Sequence, residues 1–217
     1  MKKHGWLLLL SFLLFLSGQQ GYAQNDAAKA LLNKVSQKYN SYKTIQASFT
    51  LAVKQANGGS HADAGTLYLD KANNKYQVST KNQVLISDSK TQWNIMKAEQ
   101  EVEVSEASNS TAEINPTNIF TFYTSGFKYA LAGAEKVKGM NLSVVELSPV
   151  DSKRNYTKIK LRINKTNNQI YDTTVFDKSG NRYTYTLTSQ EGNKSLPSSL
   201  FTFNKNNYKG FDIVDLR

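Results

Sequence analysis

From Ile45 onward, apolar residues recur at every second position, and the breaks between the runs are short. Phe49, Leu51 and Val53 alternate with Ser48, Thr50 and Ala52. Runs of the same kind follow at 65–69, 76–78, 84–87, 92–96 and 100–105, and again at 127–131, 142–147, 156–163, 170–176 and 182–188, with 200–203 and 211–214 closing the chain. A period of two is that of a β-strand with one buried face. Connections such as Asn57-Gly58-Gly59-Ser60, Ala72-Asn73-Asn74, Gly139-Met140-Asn141 and Lys178-Ser179-Gly180-Asn181 are too short for crossover helices. The strands therefore follow one another as antiparallel hairpins. About eleven strands are expected, in a sheet too large to stay flat, which either closes into a barrel or wraps around helices.

Two segments break the period. Over residues 26–42, Leu31, Leu32, Val35, Tyr39 and Tyr42 form one apolar stripe with polar residues opposite, the pattern of an amphipathic helix, with Asp26 as its N-cap. In the middle of the chain, Asn115-Pro116 resembles an N-cap and first helical position, and Gly126 suits a left-handed C-terminus. Ile119, Phe120 and Tyr123 lie between them at helical spacing, flanked by Phe122, so a short apolar second helix is expected. Phe, Tyr and Thr are mediocre helix formers, so packing must hold it. It fits two roles: a lid over an apolar cavity, or a plug in the core of a barrel.

Residues 1–23 read as a secretory signal. Lys2 and Lys3 precede the apolar run 6–16, which is short for a bilayer span, and Gly21-Tyr22-Ala23 offers small residues ahead of Gln24. The rest, 24–217, suits a single domain. Of 27 basic residues, Lys2 and Lys3 leave with the signal, so 25 face 17 acidic ones, a net +8. In an exported protein that charge suits anionic headgroups, acidic protein partners or plain solubility better than nucleic acid.

The chain has no cysteine, and of its two histidines only His61 follows the signal. Thiol nucleophiles, disulfides, histidine triads and the common zinc sites lose their residues at once. No glycine-rich phosphate loop is present. Glu99, Glu101 and Glu103 share one strand face and read as solvated. The balance favours binding over catalysis, with no catalytic residue, metal or cofactor.

The order of motifs resembles the LolA-like outer-membrane lipoprotein carrier proteins. The resemblance rests on a first helix ending in Tyr42, then Ile45-Gln46-Ala47-Ser48-Phe49-Thr50, Gly65-Thr66-Leu67-Tyr68-Leu69, and Ser87-Asp88-Ser89-Lys90-Thr91-Gln92-Trp93. Asn115-Pro116, Phe201-Thr202-Phe203 and Gly210-Phe211-Asp212-Ile213-Val214-Asp215 complete it. It implies a mainly β fold: an unclosed antiparallel barrel covered by a helical lid, with an apolar cavity for acyl chains. It implies a periplasmic carrier of lipoproteins between the inner and outer membranes. Its partners would be an inner-membrane lipoprotein-releasing ABC transporter and, as an option, an outer-membrane receptor, with the carrier itself a monomer. In the family a basic residue after the second strand fastens the lid to backbone carbonyls. Its Arg-Pro pair is Lys71-Ala72 here, and lysine lacks the planar fork of arginine.

On that basis the sheet-side lining is expected at Phe49, Leu51, Leu67 and Leu69, and at Tyr76, Val78, Trp93 and Ile95. The lid side is expected at Leu32, Val35, Ile119, Phe120 and Tyr123, with Lys71 as the latch. A lipid or glycolipid shuttle on the same fold, and a structural β-domain with a solid core, are the alternatives.

Overall fold

The computed structural model describes residues 19–108 and 114–217, with the side chains described from Asn25 onward. The expected signal therefore lies outside the described residues except for 19–23, which form the first turns of a helix. That helix, α1 (Gln19–Asn40), runs straight through Asp26, so Asp26 is an interior residue and not the cap expected of it. Strands β1 (Thr44–Lys54), β2 (Ser60–Asp70), β3 (Lys75–Thr80), β4 (Gln83–Ser87), β5 (Thr91–Met96) and β6 (Glu101–Glu106) make the first half. The second half holds β7 (Phe127–Val137), β8 (Met140–Pro149), β9 (Tyr156–Asn164), β10 (Ile170–Asp177), β11 (Arg182–Gly192) and β12 (Asp212–Asp215).

All twelve belong to one sheet, in the order β12-β6-β5-β4-β3-β2-β1-β11-β10-β9-β8-β7. Every pairing is antiparallel except that of β12 with β6, which is parallel. β12 and β7 stand at opposite ends and do not pair, so the sheet is not closed. It does curl. From β3 to β9 a flat sheet would span roughly 24 Å at the usual strand spacing. Yet Tyr76 on β3 and Ile159 and Leu161 on β9 belong to one continuous core.

That core lies on the inner face, under α1. Leu32, Val35 and Tyr39 are buried there against Ile45, Ala47, Leu69 and the apolar residues of β8 and β9. Residues 116–121 are turns, followed by a single 3-10 turn at Phe122–Thr124, so the second α-helix expected there is not formed. Asn115 does act as a cap, its side-chain oxygen accepting from the Thr117 backbone N–H at 2.9 Å. The Asn118 side chain accepts in turn from the Asn115 N–H at 2.9 Å. These local bonds hold a compact turn. Residues that pay heavily for helix nucleation do not extend it. Gly126 takes the left-handed conformation foreseen for it, at φ 79°.

A second, smaller core covers the opposite face. Val84, Ile86, Ile95, Val102 and Val104 are buried there, with Trp93, Phe203, Tyr208 and Phe211 packed against them. The expected strand at 200–203 is instead a 3-10 turn, Ser198–Phe201, following Pro197. This C-terminal strap stacks Phe203 on Trp93 with ring centroids 5.8 Å apart.

Candidate functional site

Between the inner face and the 114–122 segment lies a cavity of about 420 Å³. That is within the ~300–1,000 Å³ usual for small-ligand sites. Phe49, Leu67 and Val78 line it from β1, β2 and β3. Val175, Tyr185 and Leu187 line it from β10 and β11. Ile114, Pro116, Ile119, Phe120 and Phe122 roof it. Tyr185 is 38% exposed, so the cavity opens on that side. Gly65 helps shape it. A Cβ there would sit 2.6 Å from the Phe49 ring and 2.5 Å from the Ser79 carbonyl oxygen, so only glycine lets that ring lie across the neighbouring strand.

The roof is pinned to α1 at two points. The Tyr39 and Phe120 rings stack with centroids 4.5 Å apart. The Ser36 hydroxyl donates to the Tyr123 hydroxyl at 3.3 Å. Burial pushes the Tyr123 phenol up to about 12, and that of Tyr39 higher still. The Tyr39 hydroxyl accepts from the Ile170 N–H at 3.1 Å and donates to the Gln190 side chain. The Lys71 ammonium donates to the Tyr39 carbonyl at 2.6 Å, close to the C-terminus of α1, where an orphan carbonyl and a cation suit each other. Burial lowers the Lys71 pKa from its ordinary value.

Five of the residues expected from the sequence surround this space: Phe49, Leu67, Val78, Ile119 and Phe120. Leu32, Val35, Leu69, Tyr76 and Tyr123 are buried in the core beside it and do not line it. Leu51, half-buried, is one step nearer the β1–β2 hairpin. Trp93 and Ile95 are on the wrong face. Val78 pairs with Leu85 and Tyr76 with Ser87, so Val84 and Ile86 point away from the cavity, and Ile95 and Trp93 pair with those two. The β10–β11 side of the lining was missed, although Val175, Tyr185 and Leu187 alternate as Phe49 and Leu51 do.

A larger cleft of about 520 Å³ lies between α1 and β7–β8, but Asp26, Lys29, Lys128 and Glu146 line it, which makes it no shelter for an apolar ligand. Among the described residues, no group of three or more His, Cys, Asp or Glu side chains could hold a metal ion.

A family model described as "Outer membrane lipoprotein carrier protein LolA" matches residues 40–204. No curated protein matches the sequence. Among solved structures, an uncharacterized conserved protein from Thermus thermophilus is 12% identical, with a TM-score of 0.57 over 87% of this chain and 99% of that one. A LolA superfamily protein from Nitrosomonas europaea is 14% identical, with a TM-score of 0.42 over 81% of this chain and 97% of that one. A putative outer membrane lipoprotein-sorting protein domain from Vibrio parahaemolyticus is 15% identical, with a TM-score of 0.43 over 84% and 99%.

Proposed function

The chain belongs to the LolA outer membrane lipoprotein carrier family, and from that premise we propose that it carries lipoproteins across the periplasm with their acyl chains held in the apolar cavity. The observation that carries this reading is the cavity itself. It is walled by aromatic and aliphatic side chains, opens beside Tyr185, and is not filled by the protein's own core. A structural domain with a solid core would have no use for such a space.

The physical need is plain. An acyl chain in water costs about 0.8 kcal/mol for each methylene left exposed. A lipoprotein with several chains cannot cross an aqueous compartment alone. A carrier must bury the chains and still release them to a membrane. In this reading the 114–124 segment is the lid. Loading moves it against the Tyr39–Phe120 stack and the Ser36–Tyr123 bond, while the Lys71 contact with the Tyr39 carbonyl holds the end of α1 on which that stack rests. The free energy of opening lowers net affinity, which keeps release possible. The role is one of binding, not catalysis. The donor is an inner-membrane lipoprotein-releasing ABC transporter and the acceptor an outer-membrane receptor. The working form is a monomeric single domain starting at Gln24, a start that N-terminal mass analysis of exported protein checks.

The test is release of newly made lipoprotein from inner-membrane vesicles containing the transporter and ATP. The wild-type protein is expected to bring lipoprotein into the soluble fraction as a one-to-one complex. If lipoprotein stays in the vesicles, or if only phospholipid or glycolipid is found in the purified complex, the reading fails.

A further inference from the structure

Strands β10 and β11 pair over only half their length. Their register runs from Phe176 with Arg182 to Asp172 with Thr186 and stops there. Beyond that point each strand follows its other neighbour: Ile170 pairs with Ile163 of β9, and Ser189 with Ser48 of β1. An extra residue lies on each side of the split. Tyr171 is bulged out of the β9–β10 register and Thr188 out of the β1–β11 register. Bulges bend strands and interrupt pairing, and two at the same level turn β10 and β11 apart.

Side chains replace the missing ladder. The Ile170 N–H donates to the Tyr39 hydroxyl at 3.1 Å, and the Gln190 carboxamide donates to the Ile170 carbonyl at 2.7 Å. At the split lies a second hollow of about 370 Å³. Its lining is mixed: Asn164, Gln169, Thr186, Thr188 and Ser189 offer hydrogen-bonding groups beside apolar Met140 and Tyr171, with Lys138 at the same site. Two residues, Ile170 and Leu187, line both this hollow and the apolar cavity. One layer of side chain therefore separates an acyl-sized space from one that adds carboxamides and hydroxyls to its apolar lining.

We propose that the hollow at the β10–β11 split is a head-group site, in which an amphiphile with its acyl chain in the cavity passes its polar end between Ile170 and Leu187. The proposal rests on the cavity's being an acyl site. The polar groups of this mixed lining indicate the head. Carboxamides and hydroxyls donate and accept without fixed charge, which suits the amide-rich peptide end of a lipidated peptide. A phospholipid head would share the hydrogen bonding but bring a phosphate, for which Lys138 is the one cation in the described lining.

Two diacylated cysteinyl peptides test this, one with a photoactivatable diazirine on the peptide and one with it at the chain end; phosphatidylglycerol with a head-group diazirine is the third probe. The peptide-head probe is expected to label residues 164–171 or 186–190, and the chain-end probe Phe49 or 114–122. Peptide-head labelling at 51–63, beside the Tyr185 opening, overturns the head-group site but leaves the acyl site standing. Failure of the chain-end probe to label the cavity overturns both. Labelling of the hollow by phosphatidylglycerol alone overturns the peptide assignment. A second measurement uses Thr188→Trp, at an exposed strand position. It is expected to weaken the lipopeptide at least about tenfold through lost polar contacts and to leave palmitate binding unchanged. Equal effects on both ligands, or none on either, count against the site.

Discussion

The phenol ring of Tyr39 lies flat on Phe120, with centroids 4.5 Å apart and planes 13° from parallel. It joins the last turn of α1 to the roof of the cavity, and the same Tyr39 holds the split between β10 and β11 through Ile170 and Gln190. One side chain thus links lid, helix and sheet. Phe120→Ala removes the stack. The expected cost is about 3 kcal/mol, the low end for a buried Phe, because one side of the ring already faces the cavity. Denaturant unfolding measures it. An unchanged midpoint would mean the stack holds nothing.

Lys71 acts on the backbone of the same residue. Lys71→Leu loses one hydrogen bond to the Tyr39 carbonyl, worth about 1 kcal/mol. Amide exchange should quicken at Ser41 and Tyr42, the latter sharing that carbonyl, and across residues 118–124. Lys71→Arg keeps a donor and should exchange as the wild type does. Equal exchange in all three proteins would remove Lys71 from the lid.

Ile95 is fully buried, but in the core under the C-terminal strap. Ile95→Ala should therefore destabilise the fold by about 3 kcal/mol and leave lipopeptide affinity unchanged at temperatures where the variant is folded. Calorimetric titration decides. A loss of affinity in folded protein would place this core in the path of the ligand.

The buried phenols set an alkaline limit. The unfolded chain gives up the Tyr123 proton near 10.0, while the folded protein holds it to about 12. The unfolded state thus binds fewer protons in that window, so stability is full below pH 10 and falls as pH rises toward 12. Tyr123→Phe keeps the ring and removes this proton, at the cost of the Ser36 bond. Thermal midpoints measured across the window should decline less steeply in the variant than in the wild type. Parallel declines would contradict the assignment.

The sheet was legible because its turns are short and its alternation regular, and α1 because Leu32, Val35 and Tyr39 keep helical spacing. Phe49, Leu67 and Val78 could be placed on one face for the same reason. The phase was lost at β4, where Val84, Leu85 and Ile86 are all apolar and both faces of the sheet are covered. Alternation cannot assign a face there, and the error carried into Trp93 and Ile95. The lid misled differently. Its cap residues are those of a helix, but Asn115 and Asn118 close on each other and stop propagation. The bulges at Tyr171 and Thr188 leave no mark in composition at all, since either strand reads as regular by itself.

The account turns on whether the space beneath residues 114–122 receives an acyl chain. Ile119 is the place to test it, because it lines the cavity, is half-buried, and takes no part in the Tyr39 stack. Ile119→Glu puts a carboxylate where water can reach it in the empty protein but not in the loaded one, and an unpaired buried charge costs several kcal/mol. The measurement is the dissociation constant for a diacylated cysteinyl peptide, taken beside the thermal midpoint of each protein. Saturable binding to the wild type is expected, with binding to Ile119→Glu weaker by at least about a hundredfold and a midpoint within a few degrees of the wild type. No binding to the wild type, or equal binding to both proteins, would contradict the account.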